Sequence, residues 1–147
     1  GTRAVICRIF TLSGPYINKV EHYALGSFIC QAMSAGRITV NARVPVMRSY
    51  VAIRELLAVV FGALLDAKQP VTRFDSGGEL VEIGALASRI GDAMRVPVDR
   101  PPLRDEPGSL YFGDIAWYNK LRDKLDIPPV PLDQQIAETA DYLKEVQ

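Results

Sequence analysis

Residues 4–15 read Ala-Val-Ile-Cys-Arg-Ile-Phe-Thr-Leu-Ser-Gly-Pro, and the fold is read outward from them. Ala4 to Phe10 is rich in β-branched and aromatic residues, which predicts a strand. Gly14-Pro15 stops it, because Gly-Pro is a strong turn signal. From Val20 to Ala35, the residues Tyr23, Leu25, Phe28, Ile29, Ala32 and Met33 recur at helical spacing. Gly36 stands where a helix C-terminal cap belongs. A strand with no neighbour is unstable, so the rest of the chain must supply a sheet.

Further along, short strands and helices continue to alternate. Arg37 to Asn41 and Arg48 to Val51 read as short strands, the second leading into a helix from Ile53 to Ala67. That helix is apolar on most of its circumference, which predicts cover on more than one side. Val71 to Asp75 reads as a strand and Ser76-Gly77-Gly78 as a turn into a loop. Ile83 to Met94 reads as a helix with Ile83, Leu86, Ala87, Ile90 and Met94 on one face. After a proline-rich loop from Arg100 to Gly108, Asp114 caps a helix running to Leu125. An amphipathic helix from Asp133 to Val146 closes the chain.

Composition bounds what this pattern can do. The chain has 147 residues, 48% of them hydrophobic and 23% charged, with seventeen Lys+Arg balancing seventeen Asp+Glu. Such a chain builds a real core without disulfide staples, and a disordered tail is excluded. Zero net charge and scattered basic residues exclude nucleic acid as the partner. The longest apolar run, near Leu56 to Leu65, is too short to span a membrane, so no membrane partner is expected. Cys7 and Cys30 form no Cys-x-x-Cys pair and His22 is the sole histidine, so no metal site is expected. The start of the chain carries no signal-peptide pattern, and a cytoplasmic location follows as the expectation.

No complete catalytic set is visible: there is no Walker motif, no Gly-x-Ser-x-Gly elbow, no Gly-rich dinucleotide fingerprint and no tyrosine four residues before a lysine. Candidate binding residues remain. Asn18 and Lys19 lie between the Gly-Pro turn and the predicted helix, where backbone amides favour anions and Lys19 adds a point charge. Arg48 sits in a partly apolar strand, and a guanidinium there needs a carboxylate or a phosphate. Glu55, on the following helix, is the structural alternative to a ligand phosphate. Trp117 and Tyr118 read as packing residues, and Ser76-Gly77-Gly78 as a turn.

Taken in order, these pieces resemble one family. Arg8-Ile9-Phe10, Gly14-Pro15, Phe28-Ile29, Gly36-Arg37-Ile38, Arg48-Ser49-Tyr50 and Glu55-Leu56 are followed by Phe74-Asp75-Ser76-Gly77-Gly78 and Ile83-Gly84-Ala85-Leu86-Ala87. Asp114-Ile115 and Pro131-Leu132-Asp133 complete the series. The order is similar to that of the C-terminal half of an extended short-chain dehydrogenase/reductase, within the NAD-dependent sugar-nucleotide epimerases and dehydratases. The resemblance covers nearly all of residues 1–147.

The resemblance implies an α/β fold: the C-terminal, substrate-binding part of a Rossmann-type enzyme of about twice this length. Its N-terminal Rossmann part would hold NAD and the Tyr-x-x-x-Lys pair, and both are expected to lie outside this chain. The implied activity is epimerisation or 4,6-dehydration of a sugar nucleotide by transient hydride transfer to NAD, in a homodimer. The implied ligand is a nucleoside-diphosphate sugar, with Asn18, Lys19, Arg48, Asp75 and Arg100 at the positions that seat it. There are departures from the family's pattern. Asn41-Ala42-Arg43-Val44-Pro45 replaces a glycine turn, Ala52 a tyrosine and Glu55 an aspartate. Thr11 and Ser13 replace an asparagine and a tyrosine, and Asp75 replaces an amide with an acid that would repel phosphate unless an arginine holds it. The alternative from a different class is a non-catalytic α/β interaction module. If the family reading holds, apolar surface should stay exposed near Val5, Ile6, Phe10 and the helix around Val59.

Overall fold

The computed structural model describes residues 1–146. In chain order they form β1 (Ala4–Arg8), β2 (Leu12–Ser13), α1 (Ala24–Ala35), β3 (Ile38–Thr39), β4 (Val46–Ala52), α2 (Ile53–Leu65) and β5 (Val71–Asp75). Then follow β6 (Glu79–Glu82), α3 (Ile83–Met94), β7 (Val98–Asp99), β8 (Ser109–Tyr111), α4 (Ile115–Lys124) and α5 (Leu132–Val146). The strand at the start of the chain does find its neighbour. β1 runs parallel to β5, with Ala4 opposite Val71 and Arg8 opposite Asp75.

β4 is the hub. Antiparallel β6 flanks one edge, while β2 and β8 both run parallel along the other, β2 beside Val51 and Ala52 and β8 beside Val46 to Arg48. Strand alternation places Tyr50 on one face of β4 and Val51 on the other. On the Tyr50 side, Val81 and the apolar stripes of α1, α3 and α5 make the larger core, with Leu25, Ile29, Leu86, Ile90 and Leu132 almost wholly buried. On the other side, Val51 joins Leu56, Val59, Ala63, Phe74 and Tyr118.

Two polar networks tie these layers together. Gln135 of α5 donates to the Tyr50 and Val130 carbonyls and meets the Ser13 hydroxyl, while Thr139 accepts the Gly14 N–H at 3.1 Å. The closing helix therefore holds the Gly-Pro turn in place. Glu55, buried on α2, accepts the Tyr118 hydroxyl at 3.2 Å and the Val130 N–H at 2.7 Å, with Arg122 3.9 Å away. A buried carboxylate needs such donors to remain charged.

Several expectations change at this point. The helix predicted from Val20 begins at Ala24. A 3₁₀ turn, Val20–His22, precedes it, because Lys19 is left-handed (φ 53°) and Tyr23 is extended. The second short strand is seven residues long, because Val46 and Met47 pair with β8. Glu79–Glu82, read as loop, is a strand on β4. α2 is covered on one side only: Leu57, Phe61 and Leu65 face solvent while Val59 is buried. Exposed apolar surface is present, then, at Ile6 and along α2, whereas Val59 is buried and Val5 and Phe10 are half-buried. The caps at Gly36 (φ 62°) and Asp114, which accepts the Trp117 N–H at 2.9 Å, stand as predicted. No disulfide joins Cys7 and Cys30. Among the described residues no helix is long and apolar enough to cross a membrane.

Candidate functional site

The C-terminal ends of parallel strands are where open α/β sheets gather ligands. Here the ends of β1, β5 and β8 carry a band of charged and aromatic groups that reaches Arg48, the third residue of β4. Arg8, ending β1, makes a two-pronged bond to Asp75, ending β5, at 2.9 and 2.8 Å. Asp75 also accepts the Asp114 N–H at 3.1 Å, which joins the start of α4 to the band. The Arg8 guanidinium lies 5.3 Å from the Phe10 ring, and Phe10 packs at 4.9 Å against Tyr111 of β8. Tyr111 in turn lies 5.7 Å from the Arg48 guanidinium on β4. Arg48 and Asp75, 27 positions apart in sequence, thus stand at opposite ends of one contact chain.

The five expected site residues differ in what already engages them. Asp75 faces Arg8, whose hydrogen bonds hold its carboxyl below the usual carboxylate range although partial burial opposes this. The acid in place of an amide is therefore neutralised within the chain. Arg100 is committed as well: both its terminal nitrogens donate to Glu82 at 2.8 Å, and it reaches the Ala42 and Val44 carbonyls at 3.3 Å. Asn18 and Lys19 lie exposed on the loop after the Gly-Pro turn. They precede only a three-residue 3₁₀ turn, so the amides of a full helix do not converge on them.

Arg48 is the exception. Glu55, its expected structural partner, is turned into the second core instead. Arg48 donates to the Met47 carbonyl at 2.8 Å, to the Ser109 carbonyl at 3.2 Å and to Ser109 Oγ at 3.0 Å. All three acceptors are neutral. Among the described residues no carboxylate pairs with it, so its charge stays available to an anion. Ser109 and Tyr111 were missed as site-supporting residues, since nothing in a three-residue strand after a proline-rich loop marks it as the neighbour of β4. Trp117 stacks on Phe74 at 5.4 Å and Tyr118 is wholly buried, so both pack, as read.

The Ser76-Gly77-Gly78 turn is a close-packing device. Ser76 accepts the Phe10 N–H at 3.0 Å, and side chains at Gly77 and Gly78 would collide with the Tyr118 ring and the Tyr50 carbonyl. Gly78 also sits at φ 109°, which glycine tolerates best. The two glycines are thus explained by close packing of the backbone against Tyr118 and Tyr50.

No family model matches the chain, and no curated protein does so either. Solved structures do. UDP-glucuronic acid 4-epimerase from Bacillus cereus, in complex with UDP-glucuronic acid and NAD, superposes with a TM-score of 0.73 at 21% identity, over 97% of this chain and 46% of that one. The fold is that of the C-terminal half of such epimerases. UDP-glucose 4-epimerase from Thermotoga maritima, with UDP-glucose, gives 0.72 at 18% identity over 97% and 46%. RMD from Pseudomonas aeruginosa, complexed with NADPH, gives 0.73 at 17% identity over 99% and 50%. This epimerase-type fold is therefore present at low identity, and the chain spans about half the length of the structures it matches.

Proposed function

We propose that the chain is the substrate-binding half of an NAD-dependent sugar-nucleotide epimerase or 4,6-dehydratase, with Arg48 as the clamp on the nucleoside diphosphate. The observation that carries this reading is the state of Arg48. It is a guanidinium held on a sheet by neutral acceptors, with no carboxylate, in a fold whose solved examples include complexes with UDP-sugars. Arginine suits that task because its planar donors match phosphate oxygens in pairs. Lys19 adds a mobile point charge and Asn18 an amide from the loop that α5 holds in place. Asp75 and Arg100 shape the walls, each through its own ion pair.

NAD belongs, on this reading, to a complementary Rossmann half. This chain carries no Gly-rich dinucleotide fingerprint, and the glycine pair after β5 serves close packing. NAD would supply a transient hydride acceptor for the sugar, and this chain would supply binding energy and orientation. The choice between epimerisation and dehydration rests with residues around the sugar in that half.

Calorimetric titration of UDP-glucose tests the reading. Arg48→Ala should weaken binding by about 2–4 kcal/mol through loss of a charge-assisted bidentate contact. An unchanged dissociation constant in a folded variant would sink the assignment and favour a non-catalytic interaction module.

A further inference from the structure

A guanidinium has five N–H donors, and the structure accounts for three of those on Arg48. Nη1 meets the Met47 and Ser109 carbonyls, and Nη2 meets Ser109 Oγ. One residue, Ser109, thus closes the Nη1/Nη2 end of the group with both its carbonyl and its hydroxyl. The donors left without a protein partner are Nε–H and the second Nη2–H, which lie on the side edge. The Tyr111 ring, 5.7 Å from the guanidinium carbon, restrains the plane of the group. Both residues are placed by the parallel register that sets Ser109 opposite Val46 and Tyr111 opposite Arg48.

An unrestrained arginine can turn either edge to a phosphate and loses rotamer freedom when it binds. Here the end edge is already occupied. The neutral acceptors orient the group without cancelling its charge, so the side edge is a preformed fork of two parallel donors. Preorganisation of this kind increases affinity by lowering the ordering cost of binding.

We propose that Ser109 and Tyr111 are positioning residues that fix Arg48 so that its Nε/Nη2 edge is the one that meets the diphosphate. This rests on the reading of Arg48 as the diphosphate ligand. β8 therefore contributes to affinity through Arg48 and without any contact of its own to the ligand.

The test is a double-mutant cycle read by calorimetric titration of UDP-glucose, with urea midpoints measured alongside. Loss of the Ser109 hydroxyl bond in Ser109→Ala should weaken binding about five- to tenfold. Ser109→Thr, which keeps the hydroxyl, should restore it. Tyr111→Leu should weaken it about threefold by removing the ring beneath the cation. In an Arg48→Ala background Ser109→Ala should have no further effect, an outcome that a general loss of structure would not produce. The proposal is overturned if Ser109→Ala binds like the parent chain, or if it weakens the Arg48→Ala variant by the same factor. Those results leave the diphosphate reading standing. If Arg48→Ala binds UDP-glucose as the parent does, or the parent binds none, the diphosphate reading itself fails and the positioning role with it. If Ser109→Ala does not fold, Tyr111→Leu takes its place in the cycle, and parent-like binding or an effect independent of Arg48 overturns the proposal in the same way.

Discussion

The two sides of β4 are built to different degrees of completion. On the Tyr50 side three helices close over the sheet, and Ile29, Leu86 and Ile90 are wholly buried. On the Val51 side the core is smaller, and the β1–β5 pair beside it carries packing on one face only. Val5, Cys7 and Phe74 pack against the second core, whereas Ile6, Val71 and Arg73 alternate to the open face. Parallel strands are normally covered on both faces. The molecule exposes 8520 Å², against roughly 7,500 Å² for a monomer of this mass. The first region is a finished core. The second is an unfinished one, and on the proposed function it is where the cofactor-binding half would complete the parallel sheet.

The sharpest way to break this contrast is to make cavities in the finished core. Ile90 of α3 is fully buried against α1, β4 and α5. Ile90→Ala should cost about 3–4 kcal/mol, from lost transfer energy and an unrelaxed cavity. Urea denaturation measures it, and a cost under about 1 kcal/mol would mean that this core is as loosely built as the other.

Glu55 tests the polar pin of the second core. Gln in its place can still accept the Val130 N–H, but its NH2 then faces the Tyr118 hydroxyl, which must turn from donor to acceptor, and the substitution removes the charge facing Arg122. Glu55→Gln should therefore cost about 2–3 kcal/mol. The Tyr118 hydroxyl is held protonated by burial and by the Glu55 charge, so its pKa lies well above the usual tyrosine value. Relief of that shift in Glu55→Gln, read by alkaline absorbance titration, would place the effect at this contact.

Acid acts on the frame around β4. Burial works against the charge of Glu82, but the Arg100 fork and the N–H groups of Val46 and Gly84 outweigh it and hold the carboxyl at about 2 instead of 4.5. The folded state thus binds the proton less readily than the unfolded chain. The resulting stability is present above pH 4.5 and is lost as pH falls towards 2, an effect of about 1–2 kcal/mol after screening by solvent. Glu82→Gln should flatten the stability curve across that window. An unchanged acid limb would assign it to other carboxylates.

Local signals carried the helices and failed on the short strands. Gly36 and Asp114 mark helix ends through their own backbone and side-chain chemistry, and the stripe from Ile83 to Met94 repeats every turn, so both could be read directly. β6 and β8 could not. Glu79 and Glu82 bracket two apolar residues with charges that strands disfavour, and all three residues of β8 are exposed. Each exists because β4 offers it an edge, and Ser109 of β8 lies 61 positions from Arg48. The site follows the same rule. The charge on Arg48 was legible, but Ser109 and Tyr111 reach it only through that pairing, and Arg8 answers Asp75 across 67 positions. The start of α1 was misplaced for a local reason, since a left-handed Lys19 and an extended Tyr23 break an otherwise helical pattern.

The smallest expected effect is the one that sharpens the comparison most. Ile6 remains 50% exposed at the centre of β1, in a strand whose other face is packed. Because half of its side chain is already in water, Ile6→Ser should cost under about 1 kcal/mol, where the same loss of apolar volume at Ile90 costs several. Its main consequence should lie elsewhere. Apolar area left open on a parallel pair, together with Leu57, Phe61 and Leu65 on α2, favours association between copies at high concentration. Sedimentation velocity across a concentration series should show the parent chain associating and Ile6→Ser doing so less. A cost of more than about 2 kcal/mol would instead show that Ile6 serves the core of the isolated chain. The open face would then be a finished surface, and the sheet would have no need of a second half.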